Sequence, residues 1–414
     1  MRRIAVAAVT LIVLAAGARP ISVIARGSDP QDFTLIERGR YLATVGDCTA
    51  CHTSAEGKPF AGGRPIETPF GDVLAANITP DRKTGIGGWD DDTFYNAMHE
   101  GFSDKPLYPA MPYPYYTKVT RADIKAIRAY LNTVEPIENP VRSDQLPFPF
   151  SVRASMRAWN ALFFSKGEWK PDPGKSAEWN RGAYLVEGLG HCGACHTPKN
   201  VFGGDKTGRS LQGYVLQGWL APDITGDPRT GIGGWSVDEI VEYLKTGANR
   251  FQTASGPMAE EIVDSTQHWT EQDLRAAAVY LKDQQAGSRQ PEQPLQAADP
   301  VMQAGAAIYA DQCAACHAMT GDGVARLFPT LKHSASVQSD DATSLLRVVL
   351  EGTRAVATDR APTGPAMPAF GWKLSDSQIA AVLTYVRNTW GNAAAAVSAS
   401  QVTTARKALA DRSE

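Results

Sequence analysis

Cys48-Thr-Ala-Cys51-His52, Cys192-Gly-Ala-Cys195-His196 and Cys313-Ala-Ala-Cys316-His317 repeat one pattern, C-x-x-C-H, and together use all six cysteines of the chain. Two thiols one helical turn apart can add across both vinyl groups of a haem, and the histidine that follows is then directed at the iron. Each copy therefore reads as a site of covalent haem c attachment. Two other chemistries compete. A zinc site combines two cysteine knuckles, or one knuckle with a distant histidine pair, and three isolated units each ending in an adjacent histidine fit that poorly. A thioredoxin-like redox pair needs a βαβ frame, whereas the pattern around these motifs is helical. No cysteine remains for a disulfide framework. The expected cofactors are three haem c groups, held by Cys48 and Cys51, Cys192 and Cys195, and Cys313 and Cys316. His52, His196 and His317 are then one axial ligand of each iron.

The repeat extends outward from the motifs. Upstream of each lies a glycine followed by an aromatic in a helical pattern: Gly39-Arg-Tyr41-Leu42, Gly182-Ala-Tyr184-Leu185 and Gly305-Ala-Ala-Ile308-Tyr309. Downstream, each unit closes with a helix that opens on a hydroxyl cap and an acceptor three residues on: Thr120 with Asp123, Thr270 with Asp273, Ser375 with Gln378. Ile124, Ile127, Tyr130 and Leu131 match Leu274, Ala277, Tyr280 and Leu281, and then Ile379, Val382, Tyr385 and Val386. These spacings put each set on one helical face. A glycine on the opening helix would admit the closing helix closely, with the tyrosine filling the crossing. Thr84-Gly-Ile-Gly-Gly-Trp89 recurs as Thr230-Gly-Ile-Gly-Gly-Trp235, which makes the first two units the closer relatives. The expected fold class is all-α, with three tandem haem-binding domains over 34–139, 179–284 and 300–392. A proline-rich linker with an apolar helix (140–178) and a polar linker (285–299) separate them. The tail, 393–414, reads as helix or as disorder.

A sixth iron ligand decides between an electron carrier and a catalyst. Methionine on a loop before the closing helix is the expected partner. Unit one offers Met111 in Pro109-Ala-Met111-Pro112, and unit three offers Met367 in the identical word Pro365-Ala-Met367-Pro368. Unit two offers Met258 in Gly256-Pro257-Met258. Flanking proline stiffens such a loop by fixing φ. His268 is the one serious rival, for the second iron. Met98 reads as core, while Met156, Met302 and Met319 lie in the wrong places. His99, His191 and His333 read as surface or cap residues. Trp89 and Trp235 could pack beneath a haem or donate to a propionate. In 323–331, Pro329 sits where a carbonyl would accept from His317 and fix its orientation. Gly188-Leu-Gly190-His-Cys-Gly193 matches G-x-G-x-x-G only formally, because it overlaps the second motif and no strand precedes it.

Composition excludes several classes. The chain has 414 residues, 43% hydrophobic and 21% charged, as an ordinary soluble globular protein does. A net charge of −3 lacks the basic excess that nucleic-acid binding requires. Met1-Arg2-Arg3, an apolar run from Ile4 to Ala16 and Ala16-Gly17-Ala18 together read as a secretory signal peptide over 1–18. The run is short of the roughly 20 residues that span a bilayer, so cleavage is favoured over a retained anchor. The mature protein is thus expected to be exported. There is no recognisable substrate-oxidising site, and no catalytic residue is assigned.

Taken together, the chain resembles the triheme cytochrome c subunits of membrane-bound periplasmic dehydrogenases, of the quinoprotein alcohol type or the flavoprotein gluconate, fructose or sorbitol type. The resemblance rests on the three C-x-x-C-H sites, the segment from Ile78-Thr79-Pro80-Asp81 to Trp89, Arg181-Gly-Ala-Tyr184-Leu-Val-Glu-Gly-Leu-Gly190, and Trp159-Asn-Ala-Leu162-Phe163. It implies class I-like cytochrome c domains, His/Met ligation, and a catalytic partner that uses flavin or a quinone cofactor, with a small third subunit. It also implies peripheral attachment to the periplasmic face of the inner membrane and delivery of electrons to ubiquinone. The chain by itself is then no enzyme but the electron-transfer component of an oxidoreductase complex. The rival readings are a stand-alone periplasmic multihaem carrier and a haem enzyme such as a peroxidase.

Overall fold

The computed structural model describes residues 32–142, 146–287 and 292–412. The leader reading over 1–18 lies outside them. The first unit contains α1 (Phe33–Val45), α2 (Cys48–His52), β1 (Pro65–Thr68), β2 (Gly71–Leu74), α3 (Asp91–Glu100), α4 (Tyr113–Tyr116) and α5 (Arg121–Leu131). The segment after it carries α6 (Ser155–Phe163). The second unit runs α7 (Ala177–Tyr184), α8 (Gly193–His196), β3 (Gln212–Leu216), β4 (Trp219–Asp223), α9 (Val237–Thr246), α10 (Pro257–Asp264) and α11 (Glu271–Lys282). The third runs α12 (Pro300–Gln312), α13 (Ala314–His317), α14 (Ala335–Gln338), α15 (Thr343–Glu351), β5 (Thr353–Arg354), β6 (Ala366–Met367) and α16 (Asp376–Arg387), and the tail forms α17 (Ala399–Ala410).

The fold is helix-rich rather than strictly all-helical, because each unit also holds one antiparallel pair of short strands: β1 with β2, β3 with β4, β5 with β6. The β3–β4 turn is made by Gln217 and Gly218, both at positive φ (50° and 69°), as a tight hairpin requires. These strands are too short to have left a period-2 signal in the sequence.

One helix crossing recurs three times. α1 packs on α5, α7 on α11 and α12 on α16. At the crossings Gly39, Gly182 and Gly305 face the backbone carbonyls of Ala126, Ala276 and Ala381, where any Cβ would collide, and Tyr130, Tyr280 and Tyr385 fill the flanks. The glycine-and-tyrosine pattern thus has the packing role expected of it. The caps also form: Thr120, Thr270 and Ser375 accept from the backbone N–H groups of Asp123, Asp273 and Gln378. Of these three, Ser375 and Gln378 alone complete the reciprocal box.

Asp123 and Asp273 are diverted to a different task. Tyr184 of the second unit donates to Asp123 Oδ2 at 2.6 Å, and Tyr41 of the first donates to Asp273 Oδ2 at 2.6 Å. Arg38 and Arg181 hold the same two carboxylates from within their own units. The same hydroxyls accept from the backbone N–H groups of Thr120 and Thr270, each at 3.2 Å. The first two units are therefore joined by a pseudo-twofold exchange, and one hydrophobic core runs through both, from Leu42, Val45 and Ile127 to Leu185, Leu189 and Leu274. The third unit has its own core around Ile379, Leu383, Val402 and Leu409. It meets the second where Arg347 covers the Trp219 ring at 4.6 Å and Ser344 accepts from Leu220 N at 2.8 Å. The tail is helical. Arg412, just beyond α17, forks onto Glu67 of β1 at 2.6 and 2.8 Å, tying the end of the chain to the first unit. Among the described residues no helix is long and apolar enough to cross a membrane.

Replacing Gly182 by alanine forces a Cβ into the Ala276 carbonyl and should cost about 2 kcal/mol or more. Alanine at Gly208, which has open space around it, should stay within about 0.5 kcal/mol; chemical denaturation of both variants checks the contrast. Asp273 supplies a pH test. Burial raises its carboxyl, but the Arg181 and Tyr41 hydrogen bonds outweigh this and hold it below the ordinary value. A depressed folded pKa gives stability that is present above the unfolded value of about 3.9 and lost as pH falls through the folded value. Asp273→Asn should be less stable than the native chain at neutral pH. The gap between them should close as pH drops below about 4.

Candidate functional site

All three motifs open onto one continuous, mainly apolar cavity of about 1230 Å³. Cys48, Cys51, Cys192, Cys195 and Cys313 line it, as do His52, His196 and His317; Cys316 is half-buried and is not part of the lining. None of the six cysteines is in a disulfide. Burial pushes the Cys48 and Cys51 thiols up to about 12, and Cys195 and Cys313 to about 11. Among the described residues no three His, Cys, Asp or Glu side chains converge as a metal cluster.

Each histidine is oriented in the same way. The Nδ1 of His52 lies 2.7 Å from the Ala76 carbonyl, that of His196 2.6 Å from Pro222, and that of His317 3.2 Å from Pro329. With Nδ1–H donating to a carbonyl, Nε2 is left as a lone pair available to a metal. Burial lowers the pKa of all three rings, which favours that neutral form. The Pro329 partner was expected. The other two were missed because a backbone carbonyl has no residue-type signature. A positional signal exists nonetheless: Ala76 and Pro222 both stand two residues before an Ile-Thr pair, Ile78-Thr79 and Ile224-Thr225. In each, the threonine N–H and hydroxyl bond the side chain between, Asn77 or Asp223, which fixes the turn that presents the carbonyl.

Met111, Met258 and Met367 also line the cavity, but on three different supports. Met111 sits in a turn, its N–H bonded to the Tyr108 carbonyl at 3.0 Å. Met367 lies in β6, paired with Thr353. Met258 departs from the expected loop and occupies the first turn of α10, with Pro257 in the position where a helix needs no N–H. His268 is exposed, with Nε2 3.1 Å from the Val263 carbonyl, and does not line the cavity. Met98 is buried as expected. His99 and His191 depart from a surface or cap role. His99 is buried against Tyr95 at 4.7 Å, and His191 stacks on Tyr116 at 5.6 Å where the first two units meet. Trp89 and Trp235 both line the cavity, and Trp235 stacks on Phe251 at 5.3 Å.

The first two motifs lie close together. Gly193, between Cys192 and Cys195, faces the Tyr115 ring, and a Cβ there would come within 2.7 Å of it. The Tyr115 hydroxyl donates to Asp205 at 2.5 Å, and Lys199 bonds both Asp205 and the Gly193 carbonyl. The segment carrying Met111 is thereby fixed to the second C-x-x-C-H turn. Unpaired thiols, a histidine with its Nδ1 occupied and a methionine, all on an apolar cavity, fit a covalently held haem at each motif.

A family model described as Cytochrome c matches residues 302–390. The gluconate 2-dehydrogenase cytochrome c subunit of Pantoea cypripedii is 38% identical over 411 residues, covering 94% of this chain and 93% of that protein. The cytochrome c subunit of the quinone alcohol dehydrogenase of Gluconobacter oxydans (strain 621H) is 38% identical, covering 94% of this chain and 85% of that protein. The fructose dehydrogenase cytochrome subunit of Gluconobacter japonicus is 35% identical, covering 97% and 89%.

Proposed function

The chain belongs to the family of cytochrome c subunits of dehydrogenase complexes, electron-transfer components rather than catalytic subunits, and from that premise we propose that it carries three haem c groups and passes electrons from a catalytic dehydrogenase subunit to ubiquinone. The observation that carries this reading is the threefold recurrence of one arrangement, a C-x-x-C-H turn whose histidine Nδ1 is held by a backbone carbonyl. The partner, flavin- or quinone-dependent and accompanied by a small third subunit, would oxidise an alcohol, sugar or sugar acid. The site would lie on the periplasmic face of the inner membrane, with the subunit exported and peripherally bound. Its three class I-like domains would be 34–139, 179–284 and 300–392.

When bound, haem supplies reversible one-electron chemistry at iron. The chain's own residues would set the terms. Cys48 and Cys51, Cys192 and Cys195, and Cys313 and Cys316 would fix each group by thioether bonds. His52, His196 and His317 would hold the iron through Nε2, and Met111, Met258 and Met367 through their thioether sulfurs. With one histidine and one methionine committed to each iron, the set would suit electron transfer over substrate binding and would raise the potential. The apolar lining keeps water away and limits reorganisation when charge changes. Near-full-length similarity to proteins named as subunits supports a docked component over a free carrier.

Met111→Ala, Met258→Ala and Met367→Ala should each remove about one third of the far-red sulfur-to-iron absorption of the oxidised protein, and a variant with an unchanged spectrum refutes that ligand. Purification from native membranes in mild detergent should retain a dehydrogenase subunit whose substrate reduces the haem spectrum. A chain that always runs alone, without dehydrogenase activity, overturns the subunit reading.

A further inference from the structure

Asp47 and His191 occupy equivalent positions, one residue before the first cysteine of their motifs, and both hold a positive φ (50° and 35°). The pseudo-twofold packing turns each toward the other unit. His191 meets Tyr116, as described, while Asp47 meets Glu261 of α10 closely enough for the two carboxyl groups to share a hydrogen bond. Asp47 is 8% exposed, and its Oδ1 is buried with no donor to satisfy it. A carboxylate oxygen so placed, beside a second carboxyl group, lacks only a proton. Two carboxyls in contact in a low-dielectric interface ionise together only when a nearby positive charge offsets their repulsion, so the pair holds one proton wherever that charge is absent.

We propose that the Asp47–Glu261 pair is a redox-linked proton site, which takes up one proton as an electron arrives at the adjacent first or second haem site and releases it as the electron leaves. This rests on the haem assignment above. The balance is one electron from the reductant and one proton from solvent; an O–H bond forms on the pair and no other bond changes. The coupling is electrostatic. An added electron cancels one positive charge at the iron, and in a poorly screened interior that change strengthens the hold on a nearby proton.

The surrounding groups favour a protonated pair. Burial first, and the Glu261 charge second, hold the Asp47 carboxyl well above the usual carboxylate range, and burial raises Glu261 as well. On either side of Glu261 in α10, Glu260 and Asp264 add negative charge. Arg64 is drawn off by Glu260 at 2.6 Å. His191 opposes the trend at Glu261. The Tyr116 hydroxyl is engaged with the Gly46 carbonyl at 2.8 Å, and the neighbouring Cys48 and Cys51 would be neutral thioethers. The third unit provides an internal control, because its equivalent residue is Gln312, bonded by Lys373 at 2.6 Å.

The test is spectroelectrochemical titration of the haem-loaded full chain across roughly pH 6 to 9, for the native protein, Asp47→Asn and Glu261→Gln. At least one of the two paired sites should show a midpoint potential that falls as pH rises, more steeply than the third. Either substitution should flatten that slope. A redox-induced infrared band from a protonated carboxyl should appear in the native protein and vanish in both variants. If both variants keep the native slope and band, or if the native sites show neither, the pair is not a redox-linked site. Haem missing from Cys48 or Cys192 would instead overturn the proposed function, and this inference with it.

Discussion

Two tyrosine hydroxyls hold the first two units together. Tyr41 and Tyr184 each leave their own helix pair and donate to the aspartate at the start of the other pair's closing helix. Each hydroxyl also accepts a backbone N–H at that helix start, so a single group satisfies a carboxylate and an orphan donor at once. Arg38 and Arg181 complete the charge balance. Because the exchange is reciprocal, neither unit can rotate against the other without leaving two buried carboxylates under-satisfied, which costs more than the bonds themselves contribute. The shared core, the close approach of the Cys48 and Cys192 motifs and the seating of Tyr115 on Gly193 all depend on this fixed orientation.

That orientation gives the array its functional shape. Electron transfer needs cofactor sites near one another, dry and rigid, and the first two motifs meet across an interface with no intervening domain. The third unit joins the second through the β3–β4 hairpin, and the end of the chain reaches back to β1 through Arg412 and Glu67. The cavity is continuous across all three motifs. A chain that serves only to carry electrons has no use for a substrate pocket of its own, and its relatives are named as subunits of dehydrogenases rather than as dehydrogenases.

Much of this was legible in the sequence, for definite reasons. C-x-x-C-H is a local pattern, so each of its three copies is visible in the sequence alone. Gly39, Gly182 and Gly305 were legible because a helix crossing of that closeness tolerates no side chain, and the tyrosines ten residues from each cap marked the partner face. What could not be read depended on contacts between units. Asp123 and Asp273 looked like ordinary capping residues, since nothing local tells that a tyrosine from another unit will claim them. His191 looked like a surface residue because its partner, Tyr116, is distant in sequence. The carbonyls of Ala76 and Pro222 were invisible because any residue supplies one. Met258 was legible by position, but its helical support was not, because the Gly256-Pro257 pair reads equally as a turn or as a helix start.

The count of covalently bound haems bears on all of these relations at once. Intact-mass measurement of the denatured, mature protein from its native host separates covalent from dissociable haem. Three C-x-x-C-H turns with alike surroundings should give a mass equal to the polypeptide plus three haems. A mass that leaves any motif with free thiols would contradict the reading of the chain as a three-haem electron-transfer subunit.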